Sequence, residues 1–415
     1  MSFSDFIEKH RNAGQLVFQG RMGTATPAKM RSYLEKIKAL PFPTVGTITI
    51  DSYTRVNDLK AIPPILIKNE PLNGYPICTY SNKVNAQLLK NLCDPQFYVQ
   101  VRHGSAKPQH IFRSSINNGL YIGEGGPISY CLPYSRLPIK DSVKAWKESC
   151  LILTSTEQRQ RLGHMESFGG CLLGQLCHPS ILVAVSLLEC MFFKQNGIRS
   201  VSTSYAQGYN SEQDTGALLA LRQLALEYLD DIHHHIVLYT FMGMFPKSLS
   251  GAQALIRESI KLAKTAKVER IILKTVAEAH KIPEIEDNLN AFMLASSTFQ
   301  HTELVPRSSR AIEFKEQIYH EAKLILETVL SISPDIGEGL VQAFQFGLLD
   351  IPFCIHADNK NKSRVTLGEQ GEIEWADVGD MKYLKGHCVR NTKINSYELI
   401  QMLGFNQYRY DSLLE

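Results

Sequence analysis

Three arginines stand where short strand-like runs give way to a turn or loop. They are Arg21 in LVFQGRMG, Arg55 in VGTITIDSYTR and Arg102 in FYVQVRHG. A fourth run, GLYIGEGGPISYCLPYSR, carries Glu124 and then Tyr130 and Tyr134. Taken singly, each arginine reads as a surface ion-pair partner. Three of them in the first four strands, all at the C-terminal end, indicate an anion site, because strand ends of a closed parallel sheet converge on one face. The planar fork of a guanidinium matches a carboxylate. Glu124 beside them would accept an ammonium and stay ionised. Tyr130 and Tyr134 could donate to a carboxylate or simply pack a loop. His103 adds a donor next to Arg102. Gly125 and Gly126 would let backbone approach a ligand, although a plain loop pair explains them equally. The set suits a small molecule with two carboxylates and an amine.

Two further motifs carry chemistry or mimic it. Lys274 closes the run RIILKT, with Glu278 four residues on. If a helix starts there the two share a face, either as part of a site or as an ordinary ion pair. The string DIHHHI, Asp231 to Ile236, looks like the D-x-H-x-x-G of some cobalamin modules, but Ile236 occupies the glycine position. Neighbouring residues of a strand point to opposite faces, so His233, His234 and His235 read as a polar lead-in to a strand. No metal site is expected. The 9 cysteines show no CxxC pair and no zinc spacing. None has a catalytic histidine pattern nearby, so buried thiols in a reducing compartment are expected. P-loop and Rossmann spacings are absent.

The elements that must position these residues alternate along the chain. Strand-like runs lie at Gln15–Gln19, Thr44–Ile50, Tyr75–Tyr80, Phe97–Val101, Leu120–Gly123, His164–Phe168, Ser200–Ser204, Ile236–Phe241 and Arg270–Leu273. Helical patterns fall between many of them: Pro27–Leu40, Ser180–Asn196, Gln213–Leu229 and Ser250–Lys264. This alternation predicts an α/β fold, a (β/α)8 TIM barrel. One strand candidate is surplus, either a bottom-face strand or a misread loop. The segment Asn57–Pro71 holds Pro63 and Pro64 and predicts an irregular crossover. After Asp350 the alternation stops, so a barrel over 1–350 and a C-terminal appendage over 351–415 are expected. Within the appendage DNKNKSRVTLGEQGEIEW reads as a polar loop and hairpin, and Ile394–Leu403 as a short helix.

Bulk properties narrow the setting. The 415 residues carry 44 basic and 41 acidic side chains, a formal charge of +3. Such balance supplies no electrostatic reason for nucleic acid or an anionic membrane as partner. The N-terminal string MSFSDFIEKHRNAG is polar and mixed in charge, unlike a signal peptide. The most apolar stretch, Ile181 to Phe193, is too short to span a bilayer and contains Glu189. A cytoplasmic protein is expected.

The strings TIDSYTRVND, LNGYP, VRHGS, EGGPISYCLPY, SFGG, MGMFP, LKT with its later E and IP, and GLLDIPF occur in order along nearly the whole chain. In this the sequence resembles the large (epsilon) subunit of glutamate mutase, also called methylaspartate mutase. The resemblance implies a TIM barrel that shares adenosylcobalamin with a small subunit carrying D-x-H-x-x-G, in a heterotetramer with a homodimeric core. It implies interconversion of L-glutamate and (2S,3S)-3-methylaspartate by a radical mechanism, with Glu124 and Lys274 as catalytic residues. Arg21, Arg55 and Arg102 would form the claw on the substrate carboxylates, joined by His103. Glu124 would hold the amine, with Tyr130 and Tyr134 against the substrate. Gly23, Asn73, Pro133, Phe245, Lys274, Glu278 and Ile282 would touch the cofactor. There are departures. The chain is expected to lack the family's N-terminal extension, the proline-rich crossover replaces a helix, Pro127 makes EGGP of an EGGG-like turn, and the histidine run has no counterpart. A mutase for another amino or dicarboxylic acid, a non-catalytic homologue that kept the pocket, and a cobalamin-free lyase are the rival expectations.

Overall fold

A computed structural model describes residues 1–68, 70, 72–173, 176–304, 306–388 and 394–412. Eight parallel strands close into a barrel in chain order. They are β1 (Val17–Gly20), β2 (Thr44–Thr49), β3 (Tyr98–Arg102), β4 (Ile122–Gly125), β5 (His164–Ser167), β6 (Ser200–Ala206), β7 (His233–Tyr239) and β8 (Arg270–Leu273). Closure comes from β8 returning to β1, with Val17 opposite Arg270 and Gly20 opposite Leu273. The expected TIM barrel is therefore present. Helices cover the outer face of the strands, while polar Gln19, Gln100, Glu166 and Arg270 meet inside the barrel.

The surplus candidate, Tyr75–Tyr80, is not a strand. Only Tyr75 bridges the sheet, to Ile50. Pro76 offers no N–H to a ladder, and the Asn85 side chain ties the carbonyls of Ile77 and Tyr80 into a turn. The crossover before it is irregular, as expected. A 3-10 turn at Leu59–Ala61 leads into a helix over Ile62–Ile67, with Pro63 and Pro64 in the first turn, where their missing N–H groups bond to nothing anyway. The later helices run Pro27–Lys38, Pro179–Gln195, Ser211–Tyr228 and Leu249–Thr265, within two residues of expectation at each end.

Two regions depart from the sequence reading. The histidine run is no lead-in, because β7 begins at His233 and pairs with β6 from Ser200↔His233 onward. Backbone pairing with a seven-residue neighbour is indifferent to side-chain polarity, and the alternation turns His235 inward, where it is buried. Second, the polar N-terminus is a helix, α1 (Phe3–Asn12), started by a reciprocal Ser2–Asp5 capping box. Phe3, Phe6 and Ile7 pack with Val17, Val45 and Ile122 and so seal the N-terminal end of the barrel. The Phe3 ring lies edge-on to His164 at 4.9 Å, and the Arg270 guanidinium sits 5.4 Å from its centroid.

Beyond β8, helices at Ser309–Leu330 and Ile336–Phe346 pack on Pro179–Gln195. A hairpin follows, β9 (Arg364–Leu367) antiparallel to β10 (Ile373–Asp377). Buried Glu321 ties it down, accepting from Trp375 Nε1 at 3.0 Å with His387 Nδ1 at 3.1 Å. The last helix is Ser396–Asp411, longer than the expected Ile394–Leu403. Its Asp411 carboxylate extends the hold, accepting from the N–H groups of Lys247 and Ser248. Among the described residues no helix is long and apolar enough to cross a membrane.

Candidate functional site

The site forms at the C-terminal end of the barrel, opposite α1. Alternation along β3 sends Gln100 and Arg102 to one face, and both are buried in the barrel. Arg102 meets Glu124, which β4 carries inward beside it. Its Nε donates to Glu124 Oε2, and its Nη2 to Oε1 at 3.0 Å. Nη2 also reaches the Tyr239 hydroxyl at 3.4 Å, and the guanidinium lies 5.2 Å from the Tyr239 ring centroid. Burial opposes the Arg102 charge, but the adjoining carboxylate outweighs it and holds the guanidinium protonated. The Tyr130 hydroxyl donates to Glu124 Oε1 from the other side. Burial, reinforced by Glu124, keeps that phenol neutral well beyond its ordinary range.

Two buried donors remain unmet. Arg102 Nη1 and His103 Nε2 have no hydrogen-bond partner among the described residues. His103 Nδ1 accepts from the Ser105 N–H at 3.0 Å, which leaves the ring proton on Nε2. Burial, then His110 and Arg102, push the His103 pKa down to about 3, so the ring is a neutral donor. A buried donor without a partner costs free energy that a ligand can recover.

The other two arginines flank this pair. Arg21 follows β1, and its charge acts on both the Tyr134 phenol and the Lys274 ammonium. Arg55 does not end a strand. It ends a short helix, Ser52–Arg55, that Asp51 caps through the N–H groups of Tyr53 and Thr54. A Cβ on Gly104 would lie 3.2 Å from Arg55 Cδ, so the Arg55 stem runs against the turn after β3. Neither the Arg21 nor the Arg55 side chain has a hydrogen bond or ion pair among the described residues, and the two remain open cations.

The loop after β4 explains its glycines by packing. A Cβ on Gly125 would sit 2.3 Å from the Tyr130 ring, and one on Gly126 2.0 Å from the Glu189 carboxylate. Glu189 is the peg of this loop. It accepts from the N–H groups of Ile128 and Ser129 and from the hydroxyls of Ser129 and Ser167, at 2.8 to 3.0 Å. Burial raises its pKa to about 7 against those bonds. The loop thereby places Tyr130 on Glu124. Tyr134, which is 44% exposed, stands edge-on to Tyr130 at 5.8 Å.

Across the barrel from β4, Lys274 follows β8, its Nζ 3.4 Å from Glu278 and 5.2 Å from the ring centroid of Phe245. The two share a side through a 3-10 turn, Val276–Ala279, not an α-helix. Burial lowers the Lys274 pKa despite Glu278, with Arg21 assisting. Phe245 is buried, Pro133 half-buried, and Asn73 and Ile282 exposed. Gly23 packs so closely that a Cβ would lie 2.3 Å from the Thr49 carbonyl oxygen.

Asp231 pairs with Lys194, and the three histidines lie at the N-terminal end of β7, away from Arg102. Among the described residues no cluster of His, Cys, Asp and Glu is arranged to hold a metal. Sequence reasoning passed over Gln19, Gln100, Glu166, Tyr239 and Arg270, which fill the lumen beneath Arg102. Arg270 pairs with Glu166, and both are fully buried. Arg270 also donates to Gln19, and Gln100 Nε2 donates to Glu166 at 3.1 Å. Polar residues alternating within apolar strands were the available signal.

The family described as methylaspartate mutase E chain (MutE) matches residues 1–394. The glutamate mutase epsilon subunit of Yersinia enterocolitica is 27% identical over 408 residues, 92% of this chain and 83% of that protein. That of Fusobacterium nucleatum is 28% identical over 351 residues, covering 81% and 72%. That of Halobacterium salinarum is 30% identical over 317 residues, covering 74% and 65%.

Proposed function

The chain belongs to the methylaspartate mutase E chain family, and from that premise we propose that it is the substrate-holding subunit of a glutamate mutase. It would interconvert L-glutamate and (2S,3S)-3-methylaspartate. The observation that supports this most directly is the pair of unmet buried donors, Arg102 Nη1 and His103 Nε2, beside the open cations Arg21 and Arg55. That set suits two carboxylates. Glu124, which retains an acceptor position on Oε2, suits the ammonium, with Tyr134 at the outer edge and Tyr130 bracing the carboxylate.

The Lys274 side suits adenosylcobalamin, shared with a small partner subunit. Lys274 and Glu278 offer a donor and an acceptor to ribose hydroxyls, and exposed Ile282 offers apolar surface, with buried Phe245 backing Lys274. Gly23, Asn73 and Pro133 would complete the contact. When bound, the cofactor supplies the hydrogen-atom abstraction that starts a carbon-skeleton rearrangement. The protein's own part is to hold the substrate and its fragments in place and to exclude water. No residue has to act as a nucleophile. Asp231–Ile236 lacks the glycine of D-x-H-x-x-G and sits at the wrong end of the barrel, so the cobalt ligand is assigned to the partner.

The test is turnover of L-glutamate to methylaspartate by this chain mixed with a D-x-H-x-x-G partner and adenosylcobalamin. No turnover of any amino or dicarboxylic acid would overturn the reading.

A further inference from the structure

We propose that Tyr239 and Glu166 are positioning residues that hold the Arg102 guanidinium so that only its Nη1 faces the ligand, giving a grip through one nitrogen. The inference rests on the assignment of Arg102 to a substrate carboxylate. A guanidinium has five N–H donors in a fixed plane. Glu124 takes the Nε hydrogen and one on Nη2, and the Tyr239 hydroxyl takes the other on Nη2. The two on Nη1 remain, buried and unmet. The side-on fork that usually grips a carboxylate is therefore closed to the ligand, and the carboxylate must come to Nη1.

Tyr239 can serve only if its hydroxyl is aimed. That hydroxyl has one proton, and it donates to Glu166 Oε1, which turns an oxygen lone pair toward Arg102. Glu166 is in turn fixed by Arg270 Nη2 and by Gln100. Tyr239 lies on β7, Glu166 on β5 and Arg270 on β8, so three strands other than β3 and β4 fix one side chain. The Tyr239 ring also lies beneath the guanidinium and blocks it from dropping into the lumen. Neither Tyr239 nor Glu166 presents a free polar atom to the mouth of the site.

Tyr239→Phe is the discriminating variant, since it deletes one oxygen and keeps the ring that packs on Phe168 at 5.5 Å. Glu166→Gln is harsher, because it leaves buried Arg270 without its carboxylate. Calorimetric titration of the full chain with L-glutamate should show Kd rising roughly ten-fold in Tyr239→Phe, the usual weight of a hydrogen bond to a charged group. In an Arg102→Lys background the same change should cost less than about two-fold, because the partner it steers is gone. An equal loss in both backgrounds, or no loss while the wild type binds, overturns the inference. A crystal structure of Tyr239→Phe decides it without any substrate: a rotated Arg102 guanidinium is expected, and an unmoved one overturns the proposal. Failure of the wild type to bind L-glutamate would instead remove the functional reading, leaving the crystal structure to settle the positioning role.

Discussion

The two ends of the barrel are equally buried and differently finished. At the N-terminal end, polar side chains are paired: Ser4 with Ser200, His164 with Ser200 and Ser202, His235 with Arg270. The aromatic face of α1 covers them. At the C-terminal end, Arg102 and His103 are just as dry, yet each leaves one nitrogen unmet, and the Arg21 and Arg55 side chains have no hydrogen bond or ion pair among the described residues. A buried polar group left unmet is expensive in a part that only has to be stable. Between these two ends hydrogen bonding differs where burial does not.

Perturbing each end should therefore have different outcomes. The largest effect is expected at the seal. Phe3→Ala removes a ring that is 2% exposed and should cost about 3–5 kcal/mol in denaturant unfolding. The L-glutamate Kd should stay within about two-fold, and a strongly weakened Kd would break the division between the ends. At the site, Arg102→Lys should lower kcat/KM about a hundred-fold or more, because an ammonium reproduces neither the pairing with Glu124 nor the Nη1 contact. Near wild-type turnover would remove Arg102 from the claw.

Acid should act on the seal. Burial, and then the Arg270 charge, hold the pKa values of His164 and His235 well below 6.5. The unfolded chain then binds protons that the folded one refuses, so stability is full above pH 6.5 and falls as pH drops below it, by at most about 1.4 kcal/mol per pH unit for each ring. Urea midpoints from pH 7.5 to 5 should show this slope, and His164→Asn should flatten it; an unchanged slope would count against the neutral pair. The smallest effect sharpens the contrast at the site. Glu189→Gln should reduce kcat/KM about ten-fold by loosening the peg that sets Tyr130, with secondary structure retained. It should also remove any ionisation near pH 7 from the pH–rate profile, and an unchanged rate and profile would return Glu189 to a packing role.

Much of this was legible in the sequence, and the failures have physical causes. Arg102 and Glu124 could be placed because a charge at the end of an apolar strand is rare and the barrel face it must join is known. Tyr75–Tyr80 misled because its β-branched and aromatic composition outweighed Pro76. The helix α1 was missed because Phe3, Phe6 and Ile7 are few among polar neighbours, although Ser2 and Asp5 spelled its cap. Glu189 drew attention only as a charge interrupting an apolar run; its role depends on a loop sixty residues away. Glu166, Tyr239 and Arg270 stayed hidden because each looks ordinary in its own strand, and only closure of the sheet brings them together.

The pairing inside the lumen has a kinetic consequence. Arg102 and Arg270 are matched by Glu124 and Glu166, so the column cancels its own charge and projects little field into solvent. The attraction felt by an approaching anion comes from Arg21 and Arg55 at the mouth. Added salt, which shortens the screening length from about 30 Å at 0.01 M to about 8 Å at 0.15 M, should slow the association of an amino dicarboxylate while leaving its departure nearly unchanged.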